Sequence, residues 1–88
     1  MKQKRYSQLI GKRVRVRIAK FGQISIEEEG IVEGVSSNDL LIRKDDGTSV
    51  LVFKPHHRGD RIEVFENGKW KVWKEIPSKK MEVLSNEG

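Results

Sequence analysis

The chain has 88 residues, of which 35% are hydrophobic and 35% are charged, and its formal net charge is +5. This length predicts one domain with a small core, and the absence of cysteine excludes disulfides, thiolate nucleophiles and zinc–thiolate sites. No apolar run approaches the ~20 residues of a membrane-spanning helix, and no signal-peptide core follows the first residues. We therefore expect a soluble, cytoplasmic protein that does not contact a membrane.

Positive charge is concentrated at the N-terminus. Eight of the 18 basic residues, and none of the 13 acidic residues, lie in residues 1–20. A block of this kind indicates either an interaction arm or pairing within the molecule, and lysine and arginine attract nucleic-acid phosphates whatever the base sequence. We divide the chain into a basic arm (1–10), a single β-barrel domain (11–85) and a tail (86–88).

The first predicted strand is "GKRVRVRI", residues 11–18, in which arginine alternates with aliphatic residues. Successive side chains leave a strand on opposite faces, so the aliphatic row should face a core and the arginine row should face outward. The next predicted strand, 24–35, carries several glutamates, and Gly30 and Gly34 suit a strand that bends sharply to close a barrel.

The outward arginines have two interpretations, a free basic face or a ladder of cross-strand ion pairs. If the first two strands are antiparallel, two registers place arginine opposite glutamate: Arg17–Glu27 with Arg15–Glu29, or Arg17–Glu29 with Arg13–Glu33. Cross-strand opposite charges stabilise a sheet by roughly 0.2–1 kcal/mol each. The ladder is the favoured interpretation.

Two dipeptides, Asp46-Gly47 and Asn67-Gly68, predict two-residue hairpins, because both central positions of the preferred turns need positive φ. Counting outward from the first turn predicts the pairs Ile42–Leu51 and Leu40–Phe53. Counting outward from the second predicts the pairs Glu66–Lys69, Phe65–Trp70, Val64–Lys71 and Ile62–Trp73.

Shorter elements complete the predicted fold. "YSQLIG" predicts one helical turn with Ser7 as its N-cap and Gly11 as its stop, and "SSND" at 36–39 predicts a polar turn. A short closing strand is expected at 81–84. The prediction is an all-β fold, a small barrel of about five to seven short antiparallel strands with an N-terminal arm or helical turn.

The stretch "LIGKRVRVRI…EEEGIVEGVSSNDLLIRKDDG" resembles the first three strands of small SH3-like barrels, both the Sm-like proteins and the C-terminal domain of biotin protein ligases. "HRGDRIEV", residues 57–64, is similar to the second Sm motif. The resemblance implies an SH3-like barrel. In Sm-like proteins an aspartate and an asparagine around the first loop hold an RNA base, and Asn38 and Asp39 occupy the comparable loop here.

A nucleic-acid site is predicted from basic residues combined with aromatic ones. "KWKVWK" interleaves lysine with tryptophan, which suits phosphate contacts together with base stacking. Trp70 and Trp73 differ by three positions, so they should point to opposite faces, one toward the core and one toward solvent. The candidate nucleic-acid-binding residues are Lys2, Lys4, Arg5, Lys12, Arg13, Arg15, Arg17, Lys69, Trp70, Lys71, Trp73 and Lys74.

"HHRGD" at 56–60 admits a metal site on His56 and His57, an integrin-binding tripeptide, or a polar loop before a strand. The polar loop is the preferred interpretation, because adjacent residues of an extended chain diverge and a metal needs a further well-placed donor. The sequence has no phosphate-cradling glycine loop and no catalytic constellation. We expect no enzyme activity, no cofactor and no metal.

Two functions follow. The first is a non-enzymatic barrel that binds DNA or RNA through the arm, the arginine row and the 69–74 hairpin, with a tryptophan stacking on bases. The alternative is a protein-interaction or inhibitor module, an accessory protein that docks on a larger protein by a strand edge or a tryptophan patch.

Overall fold

The computed structural model describes residues 5–20 and 23–77. One 3-10 helix, Tyr6–Leu9, precedes six strands in these residues. The strands are β1 (Arg13–Lys20), β2 (Gln23–Val35), β3 (Asp39–Arg43), β4 (Ser49–Phe53), β5 (Arg61–Glu66) and β6 (Lys69–Glu75). All pairings are antiparallel, which confirms the all-β prediction. The closing strand expected at 81–84 and the arm residues 1–4 lie outside the described residues.

The strands form one sheet in the order β4-β3-β2-β1-β5-β6. The first four are a meander in which each strand pairs with the next, and β5 returns to pair with the free side of β1. The two edges of the described sheet are therefore β4 and β6. This arrangement is consistent with a small barrel-like fold.

The core lies on the face of the sheet that carries the aliphatic row of β1. Val14 and Val16 are fully buried and Ile18 nearly so, which confirms that the first strand turns its aliphatic residues inward. Leu9 of the 3-10 helix is also buried, so the helix closes one side of this core. The other buried hydrophobic residues are Ala19, Val32, Leu40, Ile42, Val52, Ile62 and Val64.

The turn between β3 and β4 differs from the two-residue hairpin that was predicted. Ile42 pairs with Val50 and Leu40 with Val52, so the predicted pairing was wrong by one residue. The Lys44 N–H donates to the Thr48 carbonyl at 2.7 Å, so these two residues still pair and the loop itself is residues 45–47. Within this loop the Gly47 N–H donates to the Lys44 carbonyl at 3.0 Å, and only Gly47 has positive φ (91°). A type I turn followed by a left-handed glycine produces this longer connection.

The turn between β5 and β6 is the predicted two-residue hairpin. Asn67 (φ 53°) and Gly68 (φ 81°) both have positive φ, as this turn requires. The predicted pairs are confirmed as far as Val64–Lys71, and the register then shifts. Ile62 pairs with Lys74 rather than with Trp73, so the last predicted pair was wrong.

Two glycines fit their places for different reasons. A Cβ at Gly30 would clash with the Arg43 carbonyl oxygen, so β2 and β3 approach too closely there for any side chain. Gly34 lies at the register shift between β2 and β3, where the long strand bends.

The helical turn also differs from expectation, because Arg5 rather than Ser7 is its N-cap and no side chain caps it.

Candidate nucleic-acid interface

The arginine row of β1 faces β2 in the first of the two predicted registers. Arg15 lies opposite Glu29 and Arg17 lies opposite Glu27, whereas Arg13 lies opposite Ile31. The antiparallel pairing is confirmed. Contact between the charged groups, however, is uneven along the row.

Arg13 and Arg15 are held by carboxylates. Arg13 Nε lies 3.1 Å from a Glu29 oxygen, and its Nη2 lies 2.9 Å from a carboxylate oxygen of Asp45. Hydrogen bonds to Asp45 and then to Glu29 raise the pKa of Arg13. Arg15 lies 3.6 Å from Glu29 and 3.4 Å from Glu63. The charges of these two arginines are largely compensated within the protein.

Arg17 has different neighbours. It pairs with Glu27 on one side and with Arg61 of β5 on the other. Arg61 Nη1 lies 3.8 Å from a Glu75 oxygen, and Arg17 makes no ion pair with any residue in the described ranges. At this end of the row two arginines therefore stand side by side.

The tryptophans of β6 lie on opposite faces, as their spacing predicts. Trp70 lies on the outer face, where the Arg15 guanidinium carbon is 4.1 Å from the ring centroid and Phe65 is 5.1 Å away. Trp73 packs against the core and against Tyr6, with ring centroids 4.9 Å apart. Both tryptophans are half-buried, so neither is a freely exposed stacking platform.

The register shift of β6 aligns three of the predicted binding residues. Lys69 and Lys71 lie opposite Glu66 and Val64, and the shift then places Lys74 opposite Ile62. All three lysines thus lie on the core-facing side of the sheet, the side that carries Val64 and Ile62. They are nevertheless exposed, and β6 is an edge strand. In a regular strand Lys74 would point to the other face, because it is an odd number of positions from Lys71. We call Lys69, Lys71 and Lys74 the lysine row.

One acid faces the lysine row across the hairpin. Glu66 receives a hydrogen bond from Lys12 Nζ at 2.6 Å, whereas Lys71 Nζ is 3.8 Å from its other oxygen. The hydrogen bond and charge of Lys12, with a smaller effect of Lys71, lower the pKa of Glu66. Lys12 therefore compensates this carboxylate first, and the lysine row keeps most of its positive charge.

Tyr6 of the 3-10 helix lies between the two edges of the described sheet. Lys54, just after β4, places Nζ 4.6 Å from the Tyr6 ring centroid, and Lys74 of β6 places Nζ 5.5 Å from it. These contacts join the end of β4 to the lysine row. Sequence reasoning missed Tyr6 and Lys54, because only the folded chain brings residues 6, 54 and 74 together.

The "HHRGD" loop is organised by Asp60, whose side chain is fully buried. Its carboxylate accepts backbone N–H groups of Ala19 at 2.8 Å, His56 at 3.0 Å and His57 at 2.9 Å. Burial acts to raise the pKa of Asp60, but the three N–H donors outweigh it, and the net shift is downward. The aspartate is thus a clamp inside the protein and not the exposed acid of an adhesion tripeptide.

The same loop brings together three groups that ligate metals elsewhere. Donor atoms of His56, His57 and Asp60 lie within 4.8 Å of one another. Both carboxylate oxygens of Asp60 already accept N–H groups, and His56 Nδ1 is 2.8 Å from the Lys54 carbonyl. These bonds hold the loop through both oxygens of Asp60 and one ring nitrogen of His56, which is consistent with a polar loop, and the expectation of no metal stays a prediction.

The remaining candidates lie apart from the lysine row or outside the described residues. Asn38 is exposed; its carbonyl accepts the Lys54 N–H at 2.9 Å, and it helps to line a shallow pocket of about 360 Å³ beside Phe53 and His56. Asp39 begins β3 opposite Phe53. Lys2 and Lys4 fall outside the described residues, and Arg5 is exposed at the start of the 3-10 helix.

Comparison of the chain with protein-family models, with curated proteins and with solved structures finds no match. The resemblance to Sm-like proteins and biotin protein ligases therefore stays a prediction. Among the described residues, none of the helical structure is long and apolar enough to span a bilayer.

Proposed function

We propose that the protein is a non-enzymatic small barrel that binds nucleic acid through the lysine row, together with Lys54. The observation that carries the proposal is the register shift in β6, which aligns three lysines against one carboxylate that Lys12 already holds. Lysines in a row at strand spacing can contact successive phosphates of a nucleic-acid backbone.

Aromatic contact would come from Tyr6, which is half-buried like the two tryptophans but has two lysines near its ring. Tyr6 lies against Trp73 and has cations near its ring at 4.6 and 5.5 Å. A base that approaches this ring would have lysines on both sides to bind its flanking phosphates. Stacking of this type does not depend on base identity, so we expect weak sequence preference and a preference for single strands.

Salt dependence is the sharpest test, since each neutralised phosphate releases counterions. A fluorescent single-stranded oligonucleotide is titrated by anisotropy at several salt concentrations with the unmodified protein and with the double variant Lys69→Gln, Lys74→Gln. For single strands, the slope of log affinity against log salt should become shallower by roughly 1.4 when two phosphate contacts are lost. Affinity should fall about equally for different base sequences.

The matched control removes the same charge elsewhere. Arg43→Gln with Lys44→Gln changes net charge equally, but these residues pair with Glu33 and Glu28 at the far side of the sheet. The control should leave the slope close to that of the unmodified protein. An equal loss in both double variants would mean that net charge, and not the lysine row, governs binding. No affinity of the unmodified protein at low salt would reject the proposed function.

A second candidate is favoured by the other sheet edge. Strand β4 has no charged residue and exposes Leu51 and Phe53 at 66% and 59% of their surface. An apolar edge strand is a template for addition of a strand from another chain. If nucleic-acid binding fails at low salt, docking of a protein on β4 becomes the favoured function. Leu51→Lys should then reduce any self-association seen by sedimentation velocity.

A further inference from the structure

We propose that Arg17 and Arg61 form an anion site that binds a phosphate group on the outer face of the sheet. This face is opposite to the lysine row, so the inference does not depend on the proposed function. The proposal rests on the direct pairing of the two arginines and on the absence of an ion pair between Arg17 and any carboxylate of residues 5–20 and 23–77.

The backbone places the two arginines directly next to each other on neighbouring strands. Arg17 of β1 and Arg61 of β5 are register partners, and both lie on the outward side that carries Arg15 and Glu63. Directly paired residues of antiparallel strands have Cβ atoms roughly 4.5–5.5 Å apart. Two arginine side chains from such positions can converge on a single tetrahedral anion.

The carboxylates nearest to Arg17 and Arg61 lie on the outer sides of the two arginines. Glu27 lies across from Arg17 on the β2 side, and Glu75 lies 3.8 Å from Arg61 on the β6 side. Glu63, the next outward residue of β5, is turned to Arg15 at 3.4 Å. No carboxylate of the described residues forms an ion pair with Arg17, whereas Arg61 has one carboxylate partner, Glu75. Arg17 is therefore the member of the pair whose charge is not compensated within these residues.

Such a pair is unfavourable without a ligand. Like charges directly opposite each other destabilise a sheet, whereas the neighbouring Arg15 lies opposite acids on both sides. The planar guanidinium donates paired N–H groups that match the oxygens of phosphate, and two guanidinium groups can hold one phosphate from two sides. A bound phosphate would convert the repulsion into attraction.

The local backbone fixes the spacing of the two strands at this site. The Asp60 carboxylate accepts the Ala19 N–H at 2.8 Å, and these residues lie just beyond Arg17 and just before Arg61. The clamp prevents β1 and β5 from moving apart to relieve the repulsion. The arginines are therefore held ready for an anion rather than arranged by it.

The test uses thermal unfolding of the full chain in sodium phosphate and in sodium chloride of equal ionic strength. Phosphate should raise the unfolding midpoint, by roughly 4–8 °C once its concentration reaches about five times its Kd. Arg17→Gln and Arg61→Gln should each remove the difference between the two salts. In chloride, both variants should unfold at or slightly above the midpoint of the unmodified protein, which shows that they fold.

Arg43→Gln is the matched control, because Arg43 is an exposed strand arginine with one carboxylate partner. This variant should keep the full phosphate effect. The inference is overturned if phosphate and chloride give the same midpoint for the unmodified protein, or if the phosphate effect persists in Arg61→Gln.

Two further measurements distinguish the possible sources of the phosphate group. A nucleoside monophosphate and a ten-residue single-stranded oligonucleotide are each added to the protein in chloride. Stabilisation by the monophosphate that Arg61→Gln abolishes assigns the site to small phosphorylated ligands. Stabilisation by the oligonucleotide that Arg61→Gln reduces, with no effect of the monophosphate, assigns it to nucleic-acid backbone. The double variant Lys69→Gln, Lys74→Gln is measured in the same way. If it loses oligonucleotide affinity but its unfolding midpoint still rises in phosphate, the lysine row and the arginine pair are independent sites.

Discussion

Arg13 and Arg17 stand at opposite ends of the same outward row of β1 and meet different neighbours. Arg13 contacts two carboxylates, those of Glu29 and Asp45. Arg17 has a glutamate on one side, beyond ion-pair distance, and an arginine on the other. Two residues of one type, in one strand and on one face, therefore differ in the charge that they present to solvent.

The difference teaches that the sequence of one strand does not show whether its charged side chains are paired within the protein or available for binding. The β1–β2 register supplies one set of neighbours and the β1–β5 register supplies the other. At Arg15 both sides offer acids, Glu29 and Glu63, whereas at Arg17 one side offers Arg61. The compensated end of the row contributes to folding, and we propose that the uncompensated end contributes to binding.

The largest expected effect comes from the clamp beside the uncompensated end. Asp60→Asn keeps one acceptor oxygen but replaces the other with an NH₂ group, which cannot accept the backbone N–H groups bound there. Buried donors left without acceptors cost about 1–3 kcal/mol each, so we expect a loss of about 3 kcal/mol in the free energy of unfolding, measured in urea.

Asp45→Asn is the control at the compensated end, because Asp45 is exposed and its contact is with Arg13. This change should cost less than about 0.5 kcal/mol. Equal losses in the two variants would show that the Asp60 network is no stronger than a surface ion pair.

Low pH should remove the stability contributed by the Asp60 carboxylate without a mutation. The folded-state pKa of Asp60 is lowered, so the folded protein binds this proton less readily than the unfolded chain does. The contribution is complete above the ordinary aspartate pKa of about 3.9 and is lost as pH falls from there through the lowered pKa. The difference in stability between the unmodified protein and Asp60→Asn should shrink as the pH falls below about 4. A constant difference at every pH would contradict this account.

Local patterns predicted some of these features. Alternation in "RVRVRI" was enough to turn Val14 and Val16 inward, and Asn67-Gly68 was enough to define its turn, because both depend on neighbouring residues only. The register shift in β6 was not predictable from the lysine and tryptophan pattern, since it arises where Trp73 packs on Tyr6 and the core. The error at Asp46-Gly47 has a local cause instead, because the Asp46 carboxylate accepts the N–H and the hydroxyl of Thr48 and stabilises a longer loop.

The candidate sites depended on contacts between distant segments. Arg61 gave a usable signal, because "RIEVF" alternates and places Arg61, Glu63 and Phe65 on one face. That signal acquires meaning only once β5 is known to pair with β1. The hydrogen bonds of Asp60 could not be foreseen, since their N–H donors come from Ala19 in β1 and from the "HHRGD" loop.

A smaller effect is expected within the compensated part of the row. A double-mutant cycle of Arg15→Gln and Glu29→Gln should show a coupling of about 0.5 kcal/mol, because the two groups lie 3.6 Å apart and are only partly exposed. Urea unfolding of the four proteins at low salt gives this value. Strict additivity would mean that the ion pair contributes nothing to stability.

The smallest effect is expected at Arg17 and Glu27, which have the same cross-strand relationship but form no ion pair in the described part of the chain. The matching cycle of Arg17→Gln and Glu27→Gln should be additive within about 0.3 kcal/mol, because the register alone does not create the contact. Arg17→Gln by itself should cost nothing or should stabilise slightly, since it removes the repulsion with Arg61. A coupling as large as that of Arg15 with Glu29 would show that Glu27 compensates Arg17 in solution. The two ends of the row would then be alike, and the charge that the proposed anion site requires would be absent.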